Sequence, residues 1–176
     1  MKRILLFTGF IFIFSSILMA QTAVSFDNKV KKGFVPENFK KGRSQIGLQG
    51  LSFGFGYGRI IGSVGVRYGY FIANNNLIFV SGDYSTFGTN YHNHHVIKTG
   101  IHYRRYFGNW EVKPFAQIGA SVGFKEFYKE KSRFGEVNLG IGASYNVKRF
   151  SFEMGMQLNI GNSVSFAPMI GISYRF

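Results

Sequence analysis

A chain of 176 residues with no cysteine, three prolines, 23 glycines and 18% aromatic residues is one domain's worth, and it excludes both a disulfide framework and lipid attachment through a cysteine. Lys and Arg outnumber Asp and Glu by 21 to 8, a net charge of +13. That excess raises nucleic acid or an anionic surface as partner. Abundant Gly and aromatics suit long strands, and no helical period is visible after the first 20 residues.

Residues 1–20 read as a secretory signal peptide: Met1-Lys2-Arg3 is basic, Ile4 to Leu18 is mostly apolar, and Ala20 before Gln21 offers a cleavage point. The apolar run falls short of a membrane helix and contains Thr8, Gly9, Ser15 and Ser16. Export makes nucleic acid an unsuitable partner. Residues 21–43 are polar, contain Pro36 and carry Lys29, Lys31, Lys32, Lys40, Lys41 and Arg43. They are expected to form a flexible basic periplasmic arm rather than a plug folded back on the domain.

From Ser44 onward the pattern is period two, the signature of strands between unlike environments. Eight segments are expected. The first, residues 44–57, changes parity between Leu48 and Leu51, which requires a bulge near Gln49-Gly50. The second, 61–72, sets Val64, Val66, Tyr68 and Tyr70 against Ser63, Gly65, Arg67 and Gly69, and the Asn74-Asn75-Asn76 run after it is a turn signal. The third, 77–87, places Phe79, Ser81 and Asp83 inward, and the fourth, 96–107, places Lys98, His102, Arg104 and Tyr106 inward. The fifth, 110–124, presents Val112, Ile118 and Val122 outward over Glu111, Lys113 and Gln117. The sixth, 134–147, turns Val137, Leu139 and Ile141 outward over Glu136 and Asn138. The seventh, 150–160, alternates Phe152, Met154 and Met156 with Ser151, Glu153 and Gln157. The eighth, 164–176, alternates bulky Phe166, Ile170, Ile172 and Tyr174 with small or polar residues and ends on Phe176.

Soluble strands usually run five or six residues, whereas a tilted strand crossing hydrocarbon needs about 9 to 11. An even number of such strands predicts an all-β fold, an eight-stranded antiparallel up-and-down transmembrane barrel over residues 44–176 with short turns. Closure is required because an open edge in lipid strands backbone groups at several kcal/mol each. An apolar outside over a polar inside speaks against a soluble lipocalin-like carrier, which has the reverse parity and ranks last among the alternatives.

The signal segment, the eight alternating segments, the inward Gly140 and Gly142, and the Tyr174-Arg175-Phe176 end resemble the small outer-membrane β-barrels of OmpA-barrel and OmpX type. The resemblance spans residues 44–176. It implies a monomer in the outer membrane of a Gram-negative cell, exported through the periplasm, with Tyr174 and Phe176 read by the barrel-assembly machinery and no cofactor. Connections shorter than the family often has argue against an elaborate receptor or adhesin.

On these parities the lumen holds Arg67, Lys98, Arg104, Lys113 and Arg175 against Asp83, Glu111, Glu136 and Glu153, a nearly neutral ladder. Charges buried together must pair. The expectation is a salt-bridge staple, with a gated water path as the alternative. Much of the cationic excess falls at the rims, where Lys125, Lys129, Lys131 and Arg133 are candidates for contact with lipopolysaccharide phosphates. Aromatic bands are expected at both interfaces, from Tyr70, Tyr106, Phe107, Trp110, Tyr145, Phe150, Phe152, Tyr174 and Phe176 at one end and Phe53, Phe55, Tyr57, Tyr84, Phe124 and Phe166 at the other. Tyr91-His92-Asn93-His94-His95 follows no metal-site spacing and is read as a polar loop. No His-x-Ser pair lies on any strand, so a lipid-modifying enzyme ranks below a structural or interaction barrel and below a narrow ion or solute channel.

Overall fold

The computed structural model describes residues 37–56, 59–88, 93–108, 111–127 and 130–176. The expected signal peptide, residues 21–36 of the arm, and Tyr57, His92, Trp110 and Lys129 lie outside them. Eight strands follow a short 3-10 turn at Glu37–Phe39: β1 (Ser44–Gly56), β2 (Arg59–Ala73), β3 (Asn76–Gly88), β4 (Asn93–Tyr106), β5 (Val112–Phe127), β6 (Glu130–Val147), β7 (Phe150–Ile160) and β8 (Val164–Arg175). Each pairs antiparallel with the next, and β8 returns to β1 to close the barrel.

Period two decides the outcome. Val66, Ile101, Val122, Phe152 and Ile172 stand exposed on the outside, while Arg67, His102, Ser121, Glu153 and Ser173 are buried inside. A wall of apolar side chains over a polar interior suits hydrocarbon, because in water it would leave an apolar surface far larger than a monomer tolerates. The end that holds the start of β1 and the end of β8 also holds the turns after β2, β4 and β6. At two of those turns Asn75 and Lys148 take left-handed φ values of 62° and 51°.

The expected bulge is present. The β1–β2 register shifts between Gln49 and Ser52, and Gly50 supplies the extra residue at φ 65°, a backbone region that a side chain would strain. Other strands run further than the sequence pattern suggested. β5 and β6 stay paired through Lys125–Ser132, Glu126–Lys131 and Phe127–Glu130, so residues 125–127 and 130–133 are paired strand rather than loop. Opposite charges face each other at Glu126 and Lys131, which supports the added pairs.

The segment expected to be a flexible arm ends differently. Phe39 is buried inside the barrel at 1% exposure, and the Gly42 amide donates to the Phe71 carbonyl at 2.9 Å. Lys40 and Lys41 remain exposed. The physical reason is that a narrow barrel mouth offers Phe39 more burial than solvent does. Polarity of the surrounding sequence concealed this.

Candidate functional site

Inward side chains form two tiers along the lumen. The tier nearer the start of β1 and the end of β8 is built around Glu153 on β7, whose carboxylate meets Arg67 Nη2 at 2.6 Å and also bonds Arg104. Gln45, Ser151 and Ser173 donate to the same carboxylate at 3.3–3.5 Å. Arg104 donates further to Gln117 Oε1 from Nε at 3.0 Å and from Nη2 at 2.6 Å.

Below Glu153 lie two more cations. Arg175 donates to Gln45 Oε1 at 3.1 Å and to Asn146 Oδ1 at 2.8 Å. Lys113 donates to the Gly108 carbonyl at 2.6 Å and to Asn75 Oδ1 at 3.2 Å. Four cations thus share one carboxylate in this tier, and aromatic rings take up the difference. The Phe39 ring lies between Arg175, 4.0 Å from its centroid, and Lys113, 4.4 Å from it. Arg104 sits 4.1 Å from the Phe115 centroid and 5.0 Å from that of Phe79. Such cation–π contacts are worth about 2 kcal/mol or more when desolvated. Phe39, Phe71, Leu77, Phe79, Tyr106 and Phe115 form the buried apolar cluster that fills this end.

The other tier is carboxylates and amides. Lys98 pairs with Glu136 at 2.7 Å, and Ser121 and Asn138 donate to the same oxygen of Glu136 at 3.2 and 3.0 Å. Asn138 continues to Asn159 at 2.9 Å, and Gln157 donates to Asn159 at 2.6 Å. Across the lumen Gln49 donates to Asp83 at 2.9 Å. Between the tiers is a cavity of about 160 Å³, whose lining includes Arg67, Asp83, Lys98, Arg104, Glu153 and Gln157.

Eight of the nine charges expected in the lumen are therefore inside. Glu111 is not: it is exposed in the turn preceding β5, where its carbonyl accepts from Asn146. Its position one residue before the first paired residue of β5 removes it from the parity rule. Tyr106, counted also in the aromatic band, is inside at 2% exposure against Phe39. Tyr174 packs on Phe150 and Phe176 at ring separations of 5.2 and 6.3 Å. At the opposite rim Arg133 lies over Phe124, Lys125 over Phe134, and Lys131 is exposed.

Two contacts were not legible from spacing. His95 Nδ1 meets Tyr84 Oη at 2.7 Å on the outer wall, so that imidazole is engaged in a strand rather than a loop. His102 Nε2 meets Ser81 Oγ at 3.1 Å, joining residues on neighbouring strands. Ser81 Oγ also lies 3.2 Å from Asp83 Oδ2, and His102 Nδ1 faces the Gln117 amide at 3.5 Å. His102 thus bridges the two tiers, with Phe79 stacked on it at 4.8 Å and no room for a side chain at Gly119 beside it.

No family model matches the chain, and no curated protein matches it in sequence. Solved structures do match in shape. The N-terminal β-barrel domain of Pseudomonas aeruginosa OprF superimposes with a TM-score of 0.60 at 14% identity, over 77% of this chain and 98% of that one. Yersinia pestis Ail in a phospholipid nanodisc gives 0.56 at 16%, over 77% of this chain and all of that one. Ail in complex with the heparin analogue sucrose octasulfate gives 0.54 at 18%, over 77% and 99%. The chain has the fold of the small eight-stranded outer-membrane β-barrels.

Proposed function

We propose that the protein is an integral outer-membrane barrel with a structural or interaction role and no catalytic one. The carrying observation is the interior itself: Glu153 is locked between Arg67 and Arg104, and Phe39 with Tyr106 and Phe71 closes the end below them. Such an interior holds strands in register rather than passing solute. Contact with the surroundings is then made at the far rim, where Lys125, Lys131 and Arg133 face phosphate-bearing lipids such as lipopolysaccharide, and at the basic segment before β1. Binding of a sulfated ligand by Ail, a barrel of the same fold, fits an anionic partner.

A narrow channel is the second reading, favoured by the cavity of about 160 Å³ above Glu153. Conduction would require both the Arg67–Glu153–Arg104 bridge and the Phe39 ring to move. Planar-bilayer recording on protein purified from outer membranes separates the two. A silent barrel that shows a heat-dependent gel shift is expected, and discrete current steps from the unaltered protein would replace the structural reading with the channel.

A further inference from the structure

The barrel wall is closed over only half its height at one seam. Among the described residues the β1–β8 ladder runs from Gln45–Arg175 to Gln49–Gly171 and stops there. Yet β1 continues to Gly56, paired with β2, and β8 reaches back to Val164, paired with β7. Residues 50–56 and 164–170 therefore face each other without a ladder, over roughly 20 Å at strand rise. Pro168, midway along that part of β8, lacks the N–H that a paired strand would use, and proline in sheets is confined to such edges. Unpaired backbone facing hydrocarbon costs several kcal/mol per group, so the split has to be filled by something with polar atoms.

What lies behind the split says what fills it. The lumen cavity reaches both lips, with Gln49, Gly50 and Ser63 on one side and Ala167, Met169 and Gly171 on the other. Its back wall carries Arg67, Lys98 and Arg104, with Lys113 and Arg175 deeper still. Arg67 is 4% exposed, and its Nε has no hydrogen-bond partner. At the cavity Arg67, Lys98 and Arg104 are matched in number by Glu153, Glu136 and Asp83, so the draw on an anion comes from the unpartnered Nε of Arg67 and from the two further cations behind it, Arg175 and Lys113. Outside the lips Val64, Phe166 and Ile170 stand exposed on the apolar wall.

We propose that this seam is a lateral binding site for an anionic membrane lipid, with its headgroup inside against Arg67 and its acyl chains left in the bilayer. The apolar outer wall selects an amphiphile over a free anion, because the headgroup then arrives from the side with its chains already in hydrocarbon. Lipid phosphate and glycerol oxygens would accept from the backbone N–H groups that the split leaves open.

The proposal rests on the membrane-embedded reading, and the test separates the two. Protein purified from outer membranes is placed in nanodiscs containing phosphatidylglycerol with a photoreactive group beside its phosphate, or phosphatidylcholine with the same group and chains. The expected result is labelling on residues lining the cavity and its lips, stronger for phosphatidylglycerol by about tenfold. Ala167→Trp, which fills the mouth, should abolish it while the heat-dependent gel shift persists. Equal labelling by the two lipids, labelling elsewhere on the wall, or none in a correctly inserted wild-type barrel overturns the proposal. So does inorganic phosphate that displaces the label as well as phosphatidylglycerol does, since that marks a free-anion site. Failure of the wild-type protein to insert or to show the gel shift would overturn the membrane reading instead.

Discussion

The two tiers of the lumen solve the same problem with different chemistry. At the end where β1 starts, one carboxylate bonds two of four cations, and the shortfall is met by the faces of Phe39, Phe79, Tyr106 and Phe115. At the other end Lys98 has Glu136 to itself, and Asn138, Asn159 and Gln157 carry a ladder of neutral hydrogen bonds. The first tier is interlocked, since each cation leans on a ring that another cation or ring also touches. Both tiers border the cavity, and the second is held by a chain of neutral hydrogen bonds. A buried charge is therefore supported in this barrel by whatever is polarisable and close, not only by its opposite.

The contrast can be broken most severely at Glu153. Glu153→Ala leaves Arg67 and Arg104 buried without a carboxylate and should lower unfolding stability in urea by about 3–5 kcal/mol, measured on the barrel folded in lipid vesicles. A loss no greater than that of Lys98→Ala would erase the distinction between tiers. Phe39→Ala is next. It removes the ring shared by Arg175 and Lys113 and should cost about 3 kcal/mol, while the barrel stays silent in a planar bilayer because the Arg67–Glu153–Arg104 bridge still crosses the lumen. Lys98→Ala leaves Glu136 with Ser121 and Asn138 still donating to it, so about 1–2 kcal/mol is expected by the same titration. Arg133→Ala at the rim should leave the unfolding midpoint unchanged, and a shift there would mean that the far hairpin contributes to the core after all.

Much of this architecture was legible from residue order because one rule, alternation, acts on every strand independently of the others. Arg67, Asp83, Lys98, Arg104, Lys113, Glu136, Glu153 and Arg175 could each be placed inside without knowing a single partner. Height along the lumen could not, since it depends on the stagger between strands, and so the concentration of cations around Glu153 was invisible. The same holds for Ser81 and His102, which meet only because β3 and β4 pair in the register Phe79–His102. Glu111 was misplaced by counting parity one residue beyond the ladder. Phe39 was missed because six cations in residues 21–43 outweighed three phenylalanines. Pro168 was the available signal for the open seam, being a residue that a fully paired strand avoids.

The seam also sets the order in which the barrel is made. Every other ladder joins consecutive strands, whereas Gln45 and Arg175, hydrogen-bonded across it, are 130 positions apart. Bringing such distant residues together costs about 4 kcal/mol of chain entropy before any contact is made. Phe39 lies six residues before Gln45, and its ring meets the Arg175 guanidinium. The lumen plug is thus a clasp fastened between the segment just before the first strand and the last strand, and it cannot form until the two have met.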